Sequence, residues 1–61
     1  MKTFKVDVYA TTATATYEIE AENAAEAWEM GRKRFTEKFL DLYDKAPTIT
    51  YVEVNLIPDE Q

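Results

Sequence analysis

Polar and apolar residues alternate strictly from Lys2 to Ala10, with Phe4, Val6, Val8 and Ala10 on one side and Thr3, Lys5, Asp7 and Tyr9 on the other. A period of two marks a half-buried strand. The alternation returns from Ala13 to Ala21, where Ala15, Tyr17, Ile19 and Ala21 oppose Thr14, Thr16, Glu18 and Glu20. The turn between them, near Thr11 to Thr14, has none of the Gly, Asn or Asp residues of tight hairpins. Its place is read from the change in alternation alone. The period then lengthens. From Asn23 to Tyr43, Ala24, Ala27, Trp28, Gly31, Phe35, Phe39 and Leu42 recur at helical spacing and predict one apolar stripe facing a core. Asn23 suits an N-cap, and Glu26 is placed to reach back to it as in a capping box. A glycine inside a helix costs about 1 kcal/mol against alanine, so Gly31 in mid-stripe implies close approach of helix backbone to sheet. Ala46-Pro47 ends the helical stretch, because the residue before proline avoids helical angles. Thr48 to Ile57 is β-branched and aromatic and predicts a third strand. Val52, Val54 and Leu56 form its inward set. Ile49 and Tyr51 then face outward, unless a bulge near Thr50 switches the faces.

Strand, strand, helix, strand is a ββαβ unit of the α+β class. The helix returns along the sheet, so the third strand runs antiparallel to the first. Pairing those two gives a three-stranded antiparallel sheet of order 2-1-3 with the helix on one face, the commoner choice over a parallel neighbour. Pro58 stops the strand, and Asp59, Glu60 and Gln61 read as a solvated tail. The 61 residues form a single domain, too short to bury more than about 60% of its unfolded surface.

Composition narrows the chemistry. The chain has no Cys and no His, which removes disulfides, Cys/His zinc sites and thiol or imidazole catalysis. No catalytic motif, cofactor motif or spaced loop of oxygen ligands is visible, so neither an enzyme nor a cofactor or metal protein is expected. No apolar run is long enough to span a membrane and no signal peptide is seen, so a cytoplasmic location is expected. Twelve acidic against seven basic side chains give a net charge of −5. That balance lacks the basic footprint of direct nucleic-acid binding. It suits a chain that occupies the basic site of another protein, a nucleic-acid-binding protein for example.

Two candidate surfaces follow. Glu18, Glu20, Glu22, Glu26 and Glu29 concentrate around the end of the second strand and the start of the helix. They are the candidate partner-binding residues. The basic run Arg32, Lys33, Arg34 and Lys38 surrounds the helix rather than lining one face of it. The second candidate is self-association. In the order 2-1-3 the second strand is an edge without Pro, Gly or Lys between Thr14 and Glu20, so the usual guards against edge pairing are missing. Thr14, Thr16, Tyr17 and Glu18 would form a homodimer seam centred on Tyr17. Met30 and Leu40, off the helix stripe, would join if the helices also meet.

The run Thr14-Ala15-Thr16-Tyr17-Glu18-Ile19-Glu20-Ala21-Glu22-Asn23, followed by an Ala/Glu-rich helix start, resembles the small DpnD/PcfM-like proteins of phages and mobile elements. The Phe4-Lys5-Val6-Asp7-Val8 start is similar too, and the resemblance covers Lys2 to Phe35. It implies a small accessory protein without an assigned reaction, and it supplies no catalytic residues. Together with the acidic balance, the expectation is a non-enzymatic protein-binding module, such as an inhibitor of a host defence or nucleic-acid enzyme. The alternative is a self-assembling accessory protein with no separate target.

Overall fold

The fold is known from a computed structural model, in which residues 1–58 are described. The expected tail, Asp59 to Gln61, lies outside the described residues. Four elements follow in order: β1 (Lys2–Ala10), β2 (Thr14–Ala21), α1 (Ala24–Tyr43) and β3 (Ile49–Ile57). The strands form one antiparallel sheet of order β2-β1-β3, and α1 packs on one face of it. This is the expected α+β ββαβ arrangement.

The core comprises Phe4, Val6 and Val8 of β1, Ile19 and Ala21 of β2, and Ala27, Phe35 and Phe39 of α1. The alternation of β1 and β2 therefore faces the helix as its pattern requires. Gly31 is buried between Ala27 and Phe35. A methyl group there would lie 2.5 Å from Val6 Cγ1, 3.1 Å from Val6 Cβ and 3.3 Å from Ile19 Cδ1. Helix backbone thus rests directly on β1 and β2, and only glycine leaves room for it.

The helix stripe differs from expectation. Its buried residues, Ala27, Gly31, Phe35 and Phe39, are spaced strictly by four. Such a row is a single ridge inclined to the helix axis by about 26°. When one inclined ridge makes the contact, residues beside it fall on the flanks. Trp28, expected in the core, is 40% exposed, and Leu42 is 62% exposed. Ala24 is exposed as well.

The N-terminus of α1 is closed from both sides. Asn23 Oδ1 accepts the Glu26 N–H at 2.9 Å, and Glu26 Oε1 accepts the Glu22 N–H at 2.9 Å. The reach-back of Glu26 therefore lands one residue before the cap rather than on the cap. At the other end the chain turns before Pro47 is reached. Asp44 takes the left-handed conformation (φ 59°, ψ 30°) and donates its N–H to Leu40 O at 2.8 Å. That position favours glycine, and an acidic group there also opposes the helix dipole.

The third strand resolves the choice left open by its sequence. Its register against β1 shifts between Tyr9 and Ala10, so Tyr9 faces Tyr51 while Ala10 faces Ile49. Thr50 is the extra residue of a bulge, and its Oγ1 donates to Tyr9 O at 3.1 Å. Ile49 is thereby turned to the core side, where it packs against the buried cluster, as Val52 and Val54 do. Leu56, expected inside, follows the inward parity opposite Phe4 but remains 56% exposed. The β1–β2 turn is held from the same end of the sheet, since the Thr11 N–H donates to Thr48 O at 3.1 Å.

Candidate functional site

The sheet face opposite the helix carries every outward position of the three strands. The registers arrange these positions in cross-strand rows: Glu20, Thr3 and Ile57; Glu18, Lys5 and Asn55; Thr16, Asp7 and Glu53; Thr14, Tyr9 and Tyr51. Four carboxylates thus share this face with one amine, that of Lys5. Lys5 sits beside Glu18, an opposite-charge pairing that favours the ladder. Asp7 accepts from the Thr16 hydroxyl, and Glu53 Oε2 accepts from Asn55 Nδ2 at 3.1 Å. At one end the Tyr9 and Tyr51 rings meet with centroids 5.8 Å apart. The pair resembles a stacking platform for bases, but its neighbours Asp7 and Glu53 are anionic, and a phosphate backbone is repelled by such a rim.

The opposite surface has a different charge pattern. Along α1, Glu26, Glu29, Glu37 and Asp41 are matched in number by Arg32, Lys33, Arg34 and Lys38. The Arg32 guanidinium also lies over the Trp28 ring, 5.5 Å from its centroid. The excess negative charge of the described elements therefore resides on the open sheet face, not on the helix.

The five glutamates singled out from the sequence are all exposed, and they divide into three settings. Glu18 and Glu20 project from β2 onto the open face. Glu22 and Glu26 form the corner between β2 and α1 and are joined by the cap hydrogen bond. Glu29 lies on the far side of the helix start, with Trp28, Val52 and Val54. Asp7 and Glu53 complete the acidic face. Neither belongs to the five glutamates singled out from the sequence; strand pairing sets the two side by side, in one row with Thr16.

Both outer strands present free backbone. The Ala10 N–H donates to Ala13 O at 2.9 Å, which makes Ala10 and Ala13 a hydrogen-bonded pair. Alternation along an antiparallel ladder then directs the peptide groups of even-numbered β1 residues to β2 and those of odd-numbered residues to β3. The bond from Thr50 Oγ1 to Tyr9 O agrees. On β2, the outward N–H and C=O groups consequently belong to Thr14, Thr16, Glu18 and Glu20. On β3 they belong to Val52, Val54 and Leu56. Tyr17 is half-buried beneath the C-terminal half of the helix, and Met30 and Leu40 are exposed on α1.

A shallow groove lies along each flank of the inclined ridge. One, beside β2, is lined by Ala15, Tyr17, Phe35, Lys38, Phe39 and Leu42 among others. The other, beside β3, is formed by Ala24, Ala25, Trp28, Glu29, Val52 and Val54. Among the described residues, no group of three or more acidic side chains is placed to hold a metal ion, and no helix is long and apolar enough to cross a membrane. Comparison with protein-family models, curated proteins and solved structures finds no match.

Proposed function

We propose that this chain is a non-enzymatic protein-binding module whose open sheet face docks onto a basic surface of another protein. The observation that carries the reading is the separation of charge between its two faces. Four carboxylates and a single amine occupy the sheet face, while acidic and basic groups balance along the helix. A rigid sheet holds the carboxylates at fixed spacing, so a partner with matching Lys and Arg loses little conformational freedom on binding. Such a surface steers encounter and selects partners more than it adds raw affinity.

The resemblance of Lys2 to Phe35 to DpnD/PcfM-like proteins of phages and mobile elements supports a more concrete version. In that version the target is a nucleic-acid or defence enzyme of the host cell, met in the host cytoplasm, and the acidic face occupies its nucleic-acid site. The alternative, a self-assembling accessory protein with no separate target, draws on the two free sheet edges.

Affinity capture from bacterial lysate, with and without nuclease, tests the leading reading. A basic protein should be retained in both cases and released as ionic strength rises, because exposed charges are screened over about 10 Å at 0.1 M salt. Reversal of Glu18, Glu20 and Glu53 to Lys should abolish capture while the cooperative melt persists. Glu26 is left out of that variant because it caps the helix. Undiminished capture by the triple variant would remove the acidic face from consideration.

A further inference from the structure

The β3 edge matches itself. Its free peptide groups belong to Val52, Val54 and Leu56, the same residues whose side chains point to the helix side of the sheet. No Pro, Gly or Lys interrupts Tyr51 to Ile57, and Pro58 bounds the ladder. Two copies related by a two-fold axis at Val54 would place Val54 opposite Val54, Val52 opposite Leu56, Glu53 opposite Asn55, and Tyr51 opposite Ile57. Each pair is alike in character: apolar with apolar on both faces, and a carboxylate with an amide. The amide already serves Glu53 within one strand, at 3.1 Å. Neighbouring registers lose this match. Centring on Glu53 sets two carboxylates directly opposed, which is destabilising. Centring on Asn55 shortens the ladder and sets Glu53 against Ile57.

The helix side adds a second complementarity. Leu56, opposite Phe4, is exposed on the helix side of the sheet. The groove of Ala24, Ala25, Trp28, Glu29, Val52 and Val54 is open beside β3. In the Val54-centred register, Leu56 of the second copy lies next to Val52, at the floor of that groove and below Trp28. Each chain supplies one apolar side chain and one hollow, as an isologous interface requires.

The β2 edge is less suited. Centred on Tyr17, it gathers Glu18 and Glu20 of both copies along one seam, and β2 carries no amine to offset them. The β3 seam gathers only Glu53 and its counterpart, each facing an amide. We infer that the β3 edge, with the groove beneath Trp28, is a docking surface for a second copy of this chain, joining two sheets into six strands as β2-β1-β3-β3-β1-β2. The inference is independent of what the acidic face binds, and it leaves that face open and doubled.

Sedimentation equilibrium of the full chain from micromolar to millimolar concentration tests it. The mass should approach twice 7.1 kDa and go no higher. Leu56→Lys changes a residue exposed in the single chain, so its cooperative melt should persist while its mass returns to that of one copy. Thr16→Pro removes an N–H on the free side of β2 and should leave the doubled mass in place. Register is read separately by cross-linking, since the chain has no cysteine of its own. Glu53 and Asn55 would form a non-hydrogen-bonded pair with Cα atoms about 4.5 Å apart, within disulfide range. A mixture of Glu53→Cys and Asn55→Cys chains should oxidise to a linked heterodimer faster than either variant alone. A mass fixed at one copy would overturn the inference, as would a mass that climbs past two. So would a dimer that survives Leu56→Lys and is lost in Thr16→Pro, or equal cross-linking in the mixture and in the single variants.

Discussion

The helix carries two kinds of large apolar residue, and their fates differ. Phe35 and Phe39 sit on the ridge that meets the sheet and are buried, with rings 5.9 Å apart. Trp28 and Leu42 belong to the same apolar stripe by sequence spacing, yet they lie on opposite flanks of that ridge and stay exposed. The sheet has three strands and β1 is central, so one helix can bring only one row of side chains fully against it. The row spaced by four, passing through Gly31, lets the backbone come closest. Residues one or three positions from a member of that row, as Trp28 is from Ala27 and Leu42 from Phe39, cover the outer strands incompletely. Apolar character on a helix face thus marks the set of residues from which a core is drawn, and the closest approach of backbones selects among them.

The comparison between ridge and flank can be broken or sharpened by substitution. The largest effect belongs to the ridge. Phe35→Ala should cost about 3–5 kcal/mol, the usual range for truncating a buried aromatic. A chain of 61 residues has roughly 3–9 kcal/mol to lose at the common ~0.05–0.15 kcal/mol per residue. Circular dichroism should accordingly show little or no cooperative melt. A melt within a few degrees of the parent would show that the ridge is not the core.

Next comes Gly31→Ala. Alanine recovers about 1 kcal/mol of helix propensity, but its methyl group cannot occupy a point 2.5 Å from Val6 Cγ1 without displacing helix or strand. Overpacking of that kind costs ~1–3 kcal/mol, and a net loss in midpoint on urea denaturation is expected. A gain in midpoint would mean that the backbones stand further apart.

The flank should respond less. Trp28→Ala is expected to cost about 1–2 kcal/mol, under half the usual penalty for a fully buried aromatic, because 40% of the side-chain-bearing residue is already exposed. Measured by the same urea titration at a protein concentration low enough to exclude self-association, a loss equal to that of Phe35→Ala would erase the distinction between ridge and flank.

The smallest effect has the opposite sign. Asp44 is the only non-glycine residue with positive φ among those described. Asp44→Gly should stabilise by ~0.5–1 kcal/mol by relieving the left-handed conformation and removing negative charge from the helix C-terminus. A thermal midpoint that fails to rise would show that the aspartate is not strained there.

Period and punctuation were legible in the sequence. The alternation of β1 and β2 named their buried faces, and the helical span with its Asn23 cap followed from residue chemistry within a few positions. These are local properties, decided by the geometry of a strand or a single turn of helix. The order β2-β1-β3 also followed, because a ββαβ chain has few ways to close an antiparallel sheet. Three matters depended on contacts between distant residues. Whether Ile49 faces in or out required the bulge at Thr50, and that bulge exists only in the pairing with Tyr9 and Ala10. Whether Trp28 or Ala27 is buried depended on the angle at which helix crosses sheet, since both are apolar and adjacent in sequence. Which of Glu18, Glu20, Asp7 and Glu53 stand side by side on the open face required the register of all three strands. The sequence by itself determined which residues prefer water and at what period they recur. Tertiary structure decided which of the apolar residues are used, because a small sheet and one helix offer room for only one close ridge.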